Sequence, residues 1–189
     1  MLTLREQQQS LRRILTGPPS CEPQTDLLQA DPWLTEVRQS PGLAMTREIA
    51  SWWLRFQIES QCIYTSRLMK RMRCYETGLD DYFSRNPTPP AIEELARQFL
   101  SSLASYPDPL IRAVAAFELE CLIPSATAHI PVAIVWDRNP QQALEALTSG
   151  AALPASDRAT RYILTIGPPQ STALRSVCCT HIQTSQPSS

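Results

Sequence analysis

Apolar residues recur at helical spacing over the first two thirds of the chain and alternate at strand spacing over the last third. Thr3 with Glu6 forms a capping-box pattern that opens a first helix, with Leu4, Leu11, Ile14 and Leu15 on one face and a stop at Gly17 before Pro18 and Pro19. The stretch PPSCEPQTD reads as a loop, and Asp31 before Pro32 opens a short second helix through Trp33 and Leu34 that ends near Pro41 and Gly42. From Thr46 to about Tyr75, TREIASWWLRFQIESQCIYTSRLMKRMRCY places Ile49, Trp53, Phe56, Cys62, Ile63, Leu68 and Met72 at near-helical intervals. The phase shifts between residues 58 and 63, which predicts a kink or break there. Gly78 is expected to separate this segment from a short helical turn carrying Leu79, Tyr82 and Phe83.

After NPTPP, the spacing of Ile92, Leu95, Phe99 and Leu103 gives the clearest amphipathic helix, ended by Tyr106 and Pro107. Asp108 and Pro109 restart the pattern, with Leu110, Val114, Phe117 and Cys121 on one stripe. Pro124 closes the helical part, and SATAH leads into a strand from Ile130 to Trp136, rich in β-branched residues. Asn139 and Pro140 open a helix through Ala143, Leu144 and Leu147 that Gly150 stops. RYILTIG and ALRSVCCTHIQ then give two further strands joined as a hairpin. The predicted class is α+β, with a helical domain over residues 1–124, a small β-α-β-β module over 125–183 and a polar tail over 184–189.

Composition narrows the function classes. An apolar fraction of 43% in 189 residues is enough for a buried core. The net charge of -1 offers no bulk attraction to nucleic acid or an anionic membrane. No apolar run is long enough to span a bilayer, and MLTLREQQQS is polar where a signal peptide has an apolar core, so a cytoplasmic location is expected. The cysteines Cys21, Cys62, Cys74, Cys121, Cys178 and Cys179 lack zinc-module spacing and are expected to be reduced, buried thiols.

Candidate chemistry is sparse. Alternation along a strand puts Cys179 and His181 on one face, but two ligands do not make a zinc site, and neither His129 nor His181 belongs to an acid-base pattern. Glu118 and Glu120 point about 200° apart around a helix and cannot act as a dyad. Arg67, Lys70, Arg71 and Arg73 form a basic run with Glu76, Asp80 and Asp81 as expected charge partners. Trp52 and Trp53 cannot both enter one core, which leaves at least one for a partner. No catalytic residue and no metal ligand is assigned.

The phrase DPLIRAVAAFELECLIP, the strand ending in Trp136, the Asn139–Pro140 helix and the RYILTIG strand together resemble a partner-protein family of peptide natural-product biosynthesis. The proline-interrupted half, including YTSRLMKRMRCYETGLDDYFSRNP, is similar in layout. The family comprises the small subunits of methanobactin and 3-thiaglutamate synthesis. The resemblance implies a heterodimer with a TIM-barrel enzyme whose multinuclear non-haem iron oxidises a cysteine of a ribosomally made precursor. This chain would hold no cofactor and would bind the leader segment as an added strand. The residues expected to bind peptide are Val132, Ile134, Tyr162, Leu164 and Val177, and those expected to dock the enzyme are Trp52, Trp53, Arg67 and Arg71. Two alternatives belong to other classes: a DNA-binding regulator using Arg67 to Arg73, and an enzyme centred on Cys178, Cys179 and His181.

Overall fold

The computed structural model describes residues 3–16, 32–86, 89, 92–122, 132–156, 160–169 and 175–183. The 18–26 loop, the Asp31 cap, Pro124, His129, residues 130–131 of the first strand and the 184–189 tail lie outside the described residues. So do Cys21 and the side chains of Val177, Cys178, Cys179 and His181. The described chain is mostly helical with a small antiparallel sheet, as the periodicity predicts. In chain order the helices before the sheet are α1 (Leu4–Thr16), α2 (Pro32–Gln39), α3 (Leu43–Gln61), α4 (Ile63–Arg71), α5 (Tyr75–Arg85), α6 (Ile92–Ser102) and α7 (Pro109–Leu122). The remaining elements are β1 (Val132–Trp136), α8 (Pro140–Ser149), β2 (Thr160–Pro169) and β3 (Arg175–Gln183). Among the described residues no helix is long and apolar enough to cross a membrane.

Contacts group the chain into two compact units that interleave in sequence, one of residues 1–61 and 75–95, the other of residues 62–74 and 96–189. In the first unit the Thr3–Glu6 capping box forms. The Thr3 amide donates to Glu6 Oε2 at 2.7 Å and the Glu6 amide donates to Thr3 Oγ1 at 3.4 Å. Ile14, Leu34 and Leu43 make a small core from α1, α2 and α3, with Leu15 packed against it. Arg47 Nε ties α3 to α1 by donating to the Ile14 carbonyl at 2.7 Å. Leu4, predicted on the same apolar face, is exposed instead, because it precedes the part of α1 that meets α2 and α3. Gly78 lies inside α5 and does not interrupt it. Burial of Tyr75, Leu79 and Tyr82 on one face of that helix outweighs the glycine's poor helix propensity.

The predicted break falls at Cys62, between α3 and α4. Breaking a helix leaves amide donors at the new N-terminus without carbonyl partners. Glu118 of α7 supplies the acceptors, taking the Tyr64 amide on Oε1 at 2.7 Å and the Thr65 amide on Oε2 at 2.8 Å. This carboxylate is only 5% exposed, and burial pushes its pKa up against the pull of the amide donors. Cys62 is fully buried beside it, and burial first, then the Glu118 charge, hold the thiol well above its ordinary range, so it stays protonated and inert. Cys121, predicted to be buried, is exposed. Residue 121 shares the stripe of Leu110, Val114 and Glu118 but lies in the last turn of α7, past Glu118, the last buried position of that helix.

Caps define the rest of this second unit. Asp108 Oδ1 accepts from the Leu110 and Ile111 amides at 2.9 and 3.0 Å, which starts α7. Asn139 Oδ1 accepts from the Gln142 amide at 3.2 Å, Pro140 fills the first helical turn, and Gly150 at φ 79° ends α8. The sheet runs β1-β2-β3, antiparallel throughout. Val132 stands opposite Ile166, Ile134 opposite Leu164, and Trp136 opposite Tyr162. Ile134, Trp136, Leu164 and Ile166 form its buried row.

Two outcomes follow from the Glu118 cap. Glu118→Ala should lower stability by about 2–4 kcal/mol in urea unfolding, because two amides lose their acceptors. Glu118→Gln, which keeps one acceptor, should cost less. The raised carboxyl keeps a proton in the folded state that the unfolded chain has released. Its contribution is therefore present in full below the ordinary carboxylate range and lost as pH rises through the raised value. The urea midpoint of the wild type should fall relative to that of Glu118→Gln as the buffer is taken upward from about pH 4.

Candidate functional site

A groove of about 890 Å³ runs along β1. All five β1 residues from Val132 to Trp136 line it. In a strand, neighbours point to opposite faces, so a wall made of consecutive residues is the strand's edge and not one face of the sheet. The strand order agrees: β1 pairs with β2 on one side and, among the described strands, has no neighbour on the other. The opposite wall is α7, which packs against β1 and presents Pro109, Arg112, Ala113 and Ala116 to the groove. Three of those four residues are small or lack a long side chain, so little side-chain bulk projects from α7 into the groove. Strands lie about 4.8 Å apart, and five residues of strand span about 17 Å.

The Trp136 end of the groove carries its charge. Asp137, Ser156 and Arg161 lie in the lining there. Arg138 grips Asp137 through Nε to Oδ1 at 2.9 Å and Nη2 to Oδ2 at 2.8 Å, and its Nη1 donates to the Pro154 carbonyl at 3.0 Å. The Arg138 bond, joined by one from Ser156, holds the Asp137 carboxyl below its ordinary value despite partial burial. Arg112 Nη1 donates to the Tyr106 and Pro107 carbonyls at 2.6 and 3.0 Å, which fixes the guanidinium at the start of α7.

The five residues expected to bind peptide fall on one row of the sheet by register: Val132 and Ile134 on β1, Tyr162 and Leu164 on β2, and Val177 on β3 opposite Ile166. Val132 and Ile134 line the groove. Ile134 and Leu164 face inward and are buried. β2 is the central strand with a partner on each side, so no added strand can pair with Tyr162 or Leu164. Sequence reasoning missed Arg112, Ala113, Ala116 and Arg161, because their place in the groove depends on how α7 packs on β1.

Of the residues expected to dock a partner, Trp52 and Trp53 are both exposed, at 61% and 46%. Phe56 stacks on Trp52 with ring centroids 5.5 Å apart and lies 5.7 Å from Trp53. Met45 and Ile49 extend this exposed row, so Ile49, Trp53 and Phe56, which recur at helical spacing, face outward along α3. The inward positions of that helix are Leu43 and Ile58.

Arg67 and Arg71 have work inside the fold. Arg67 Nη1 donates to the Leu147 and Thr148 carbonyls at 3.1 and 3.2 Å, and Arg71 Nη2 donates to the Gly150 carbonyl at 2.8 Å. They satisfy the C-terminal carbonyls of α8, where positive charge also meets the negative end of the helix dipole. The acidic residues expected to pair with the basic run pair elsewhere: Glu76 and Asp80 with Arg55, and Asp81 with Arg85. A DNA-binding reading that uses Arg67 and Arg71 would have to break the α8 cap.

Among the described residues, no group of three or more His, Cys, Asp or Glu side chains is placed to hold a metal ion. No protein-family model, curated protein or solved structure matches this chain.

Proposed function

We propose that this chain is the recognition subunit of an iron-dependent, peptide-modifying pair. It binds the leader of a ribosomally made precursor and presents the precursor's cysteine to a TIM-barrel enzyme with multinuclear non-haem iron, in synthesis of the 3-thiaglutamate or methanobactin type. The observation that carries the peptide-binding part is the edge of β1 that has no neighbour among the described strands and faces a groove walled by α7. An extended segment entering there adds a fourth strand. Its backbone supplies the partners for the β1 amides and carbonyls on that side, while alternate side chains point to the two walls. The chain contributes binding and orientation, and the oxidation chemistry belongs to the iron centre of the partner.

The exposed row Met45, Ile49, Trp52, Trp53 and Phe56 supports the second part, a lasting protein partner. Large apolar patches on a soluble chain mark interaction surfaces, and tryptophan is enriched among the residues that dominate binding. In this reading the row docks the enzyme.

Co-expression with the adjacent genes of the source should yield a one-to-one complex with an iron-containing barrel protein on size-exclusion chromatography. The double variant Trp52→Ala, Trp53→Ala should lose that complex, with affinity down about 100-fold or more, while its circular dichroism stays unchanged because both side chains are exposed. A stable monomer that ignores such an enzyme contradicts the docking part. For the peptide part, leader peptides N-methylated at one backbone position at a time should be titrated into the complex. Loss should alternate along the peptide, at least about tenfold at every second residue and little between, since only every second amide of an added strand faces β1. A flat profile contradicts strand addition.

A further inference from the structure

The geometry points to an acidic ligand: we infer that the β1 groove takes an extended peptide segment bearing a carboxylate side chain, seated at the Trp136 end and read by Arg161, Arg112 and the Trp136 indole. This deepens the proposed function and rests on the groove being a strand-addition site.

Charge is the first observation. The groove lining contains two arginines, Arg112 and Arg161, and one carboxylate, Asp137. Asp137 does not cancel either arginine, because Arg138 holds both of its oxygens. The local balance therefore favours an incoming anion. Arg161 is placed by register: Trp136 stands opposite Tyr162, so Arg161 lies one step beyond that pair, at the end of β1. It is exposed, so its guanidinium meets solvent in the unliganded chain. Arg112 is fixed by the Tyr106 and Pro107 carbonyls, so its positive charge is held in place before any ligand arrives.

The second observation is independent of charge. Trp136 is 1% exposed and lines the groove, and among the described residues its buried Nε1 has no hydrogen-bond partner. Indole N–H is a donor only, and a buried donor without an acceptor costs stability. A carboxylate oxygen at this end offers that acceptor, and the positive charges of Arg112 and Arg161 in the same lining attract it. A lysine or a purely apolar side chain supplies neither function.

The test uses the full chain and three probes: a short, acetylated and amidated peptide of alternating threonine and valine with one central glutamate, and its glutamine and lysine analogues. Affinity is read by calorimetry, and the bound site by amide shifts of β1. The glutamate peptide should bind about tenfold tighter than the glutamine peptide, with the lysine peptide weakest. The gap should shrink as salt is raised from about 0.05 to about 0.5 M. Arg161→Gln should remove most of the glutamate preference, weakening the glutamate peptide far more than the glutamine one. Trp136→Phe, with folding checked by circular dichroism, should weaken the glutamate peptide more than the glutamine one. Equal binding of glutamate and glutamine peptides, or a preference for lysine, overturns the acidic assignment and leaves the groove reading standing. If none of the three shifts the β1 amides, the groove reading falls and the acidic assignment falls with it.

Discussion

The carboxylate of Glu118 decides where the long helical segment ends and begins again. Its two oxygens accept from the Tyr64 and Thr65 amides, which a continuous helix would have paired with its own carbonyls. The cap fixes the start of α4 against α7. From there the consequences run outward. Arg67 and Arg71 on α4 reach the carbonyl end of α8, and α7 on its other side forms the wall of the groove beside β1. A single buried acceptor thus ties the helix that ends α8 to the helix that shapes the candidate site. Burial makes its charge costly, and the amides it satisfies, buried at Thr65 and partly buried at Tyr64, offset that cost.

Much of this architecture was legible because its signals are local. Thr3 with Glu6, Asp108 before Pro109, and Asn139 with Pro140 and Gly150 each announce a helix end through side-chain and backbone chemistry within a few residues, and each forms. The phase shift between residues 58 and 63 gave the break at Cys62. What could not be read depends on distance. Glu118 lies 54 residues from Tyr64 in the chain, and nothing local marks it as a helix cap. Periodicity finds an apolar stripe but not its direction, so the spacing of Ile49, Trp53 and Phe56 does not by itself tell that they face outward. Gly78 looks like a breaker, yet buried neighbours carry α5 through it.

The candidate site was half legible for the same reason. Three strands and a helix between the first two were readable, but strand order was not, and order decides which strand has a free edge. Val132 and Ile134 fall on the edge strand beside the groove, whereas Tyr162 and Leu164 fall on the central one. The groove also needs the small residues of α7, Ala113 and Ala116, which carry no signature of their own.

The central claim is that β1 is an open edge completed by a peptide strand. Amide hydrogen exchange of the full chain, measured with and without saturating leader peptide, tests it most directly. Protection should rise within Val132 to Trp136, in alternate amides, with little change in β2, whose two edges are already occupied. New protection confined to β3 or to the helices, with β1 exchanging as before while the peptide is bound, would contradict the account.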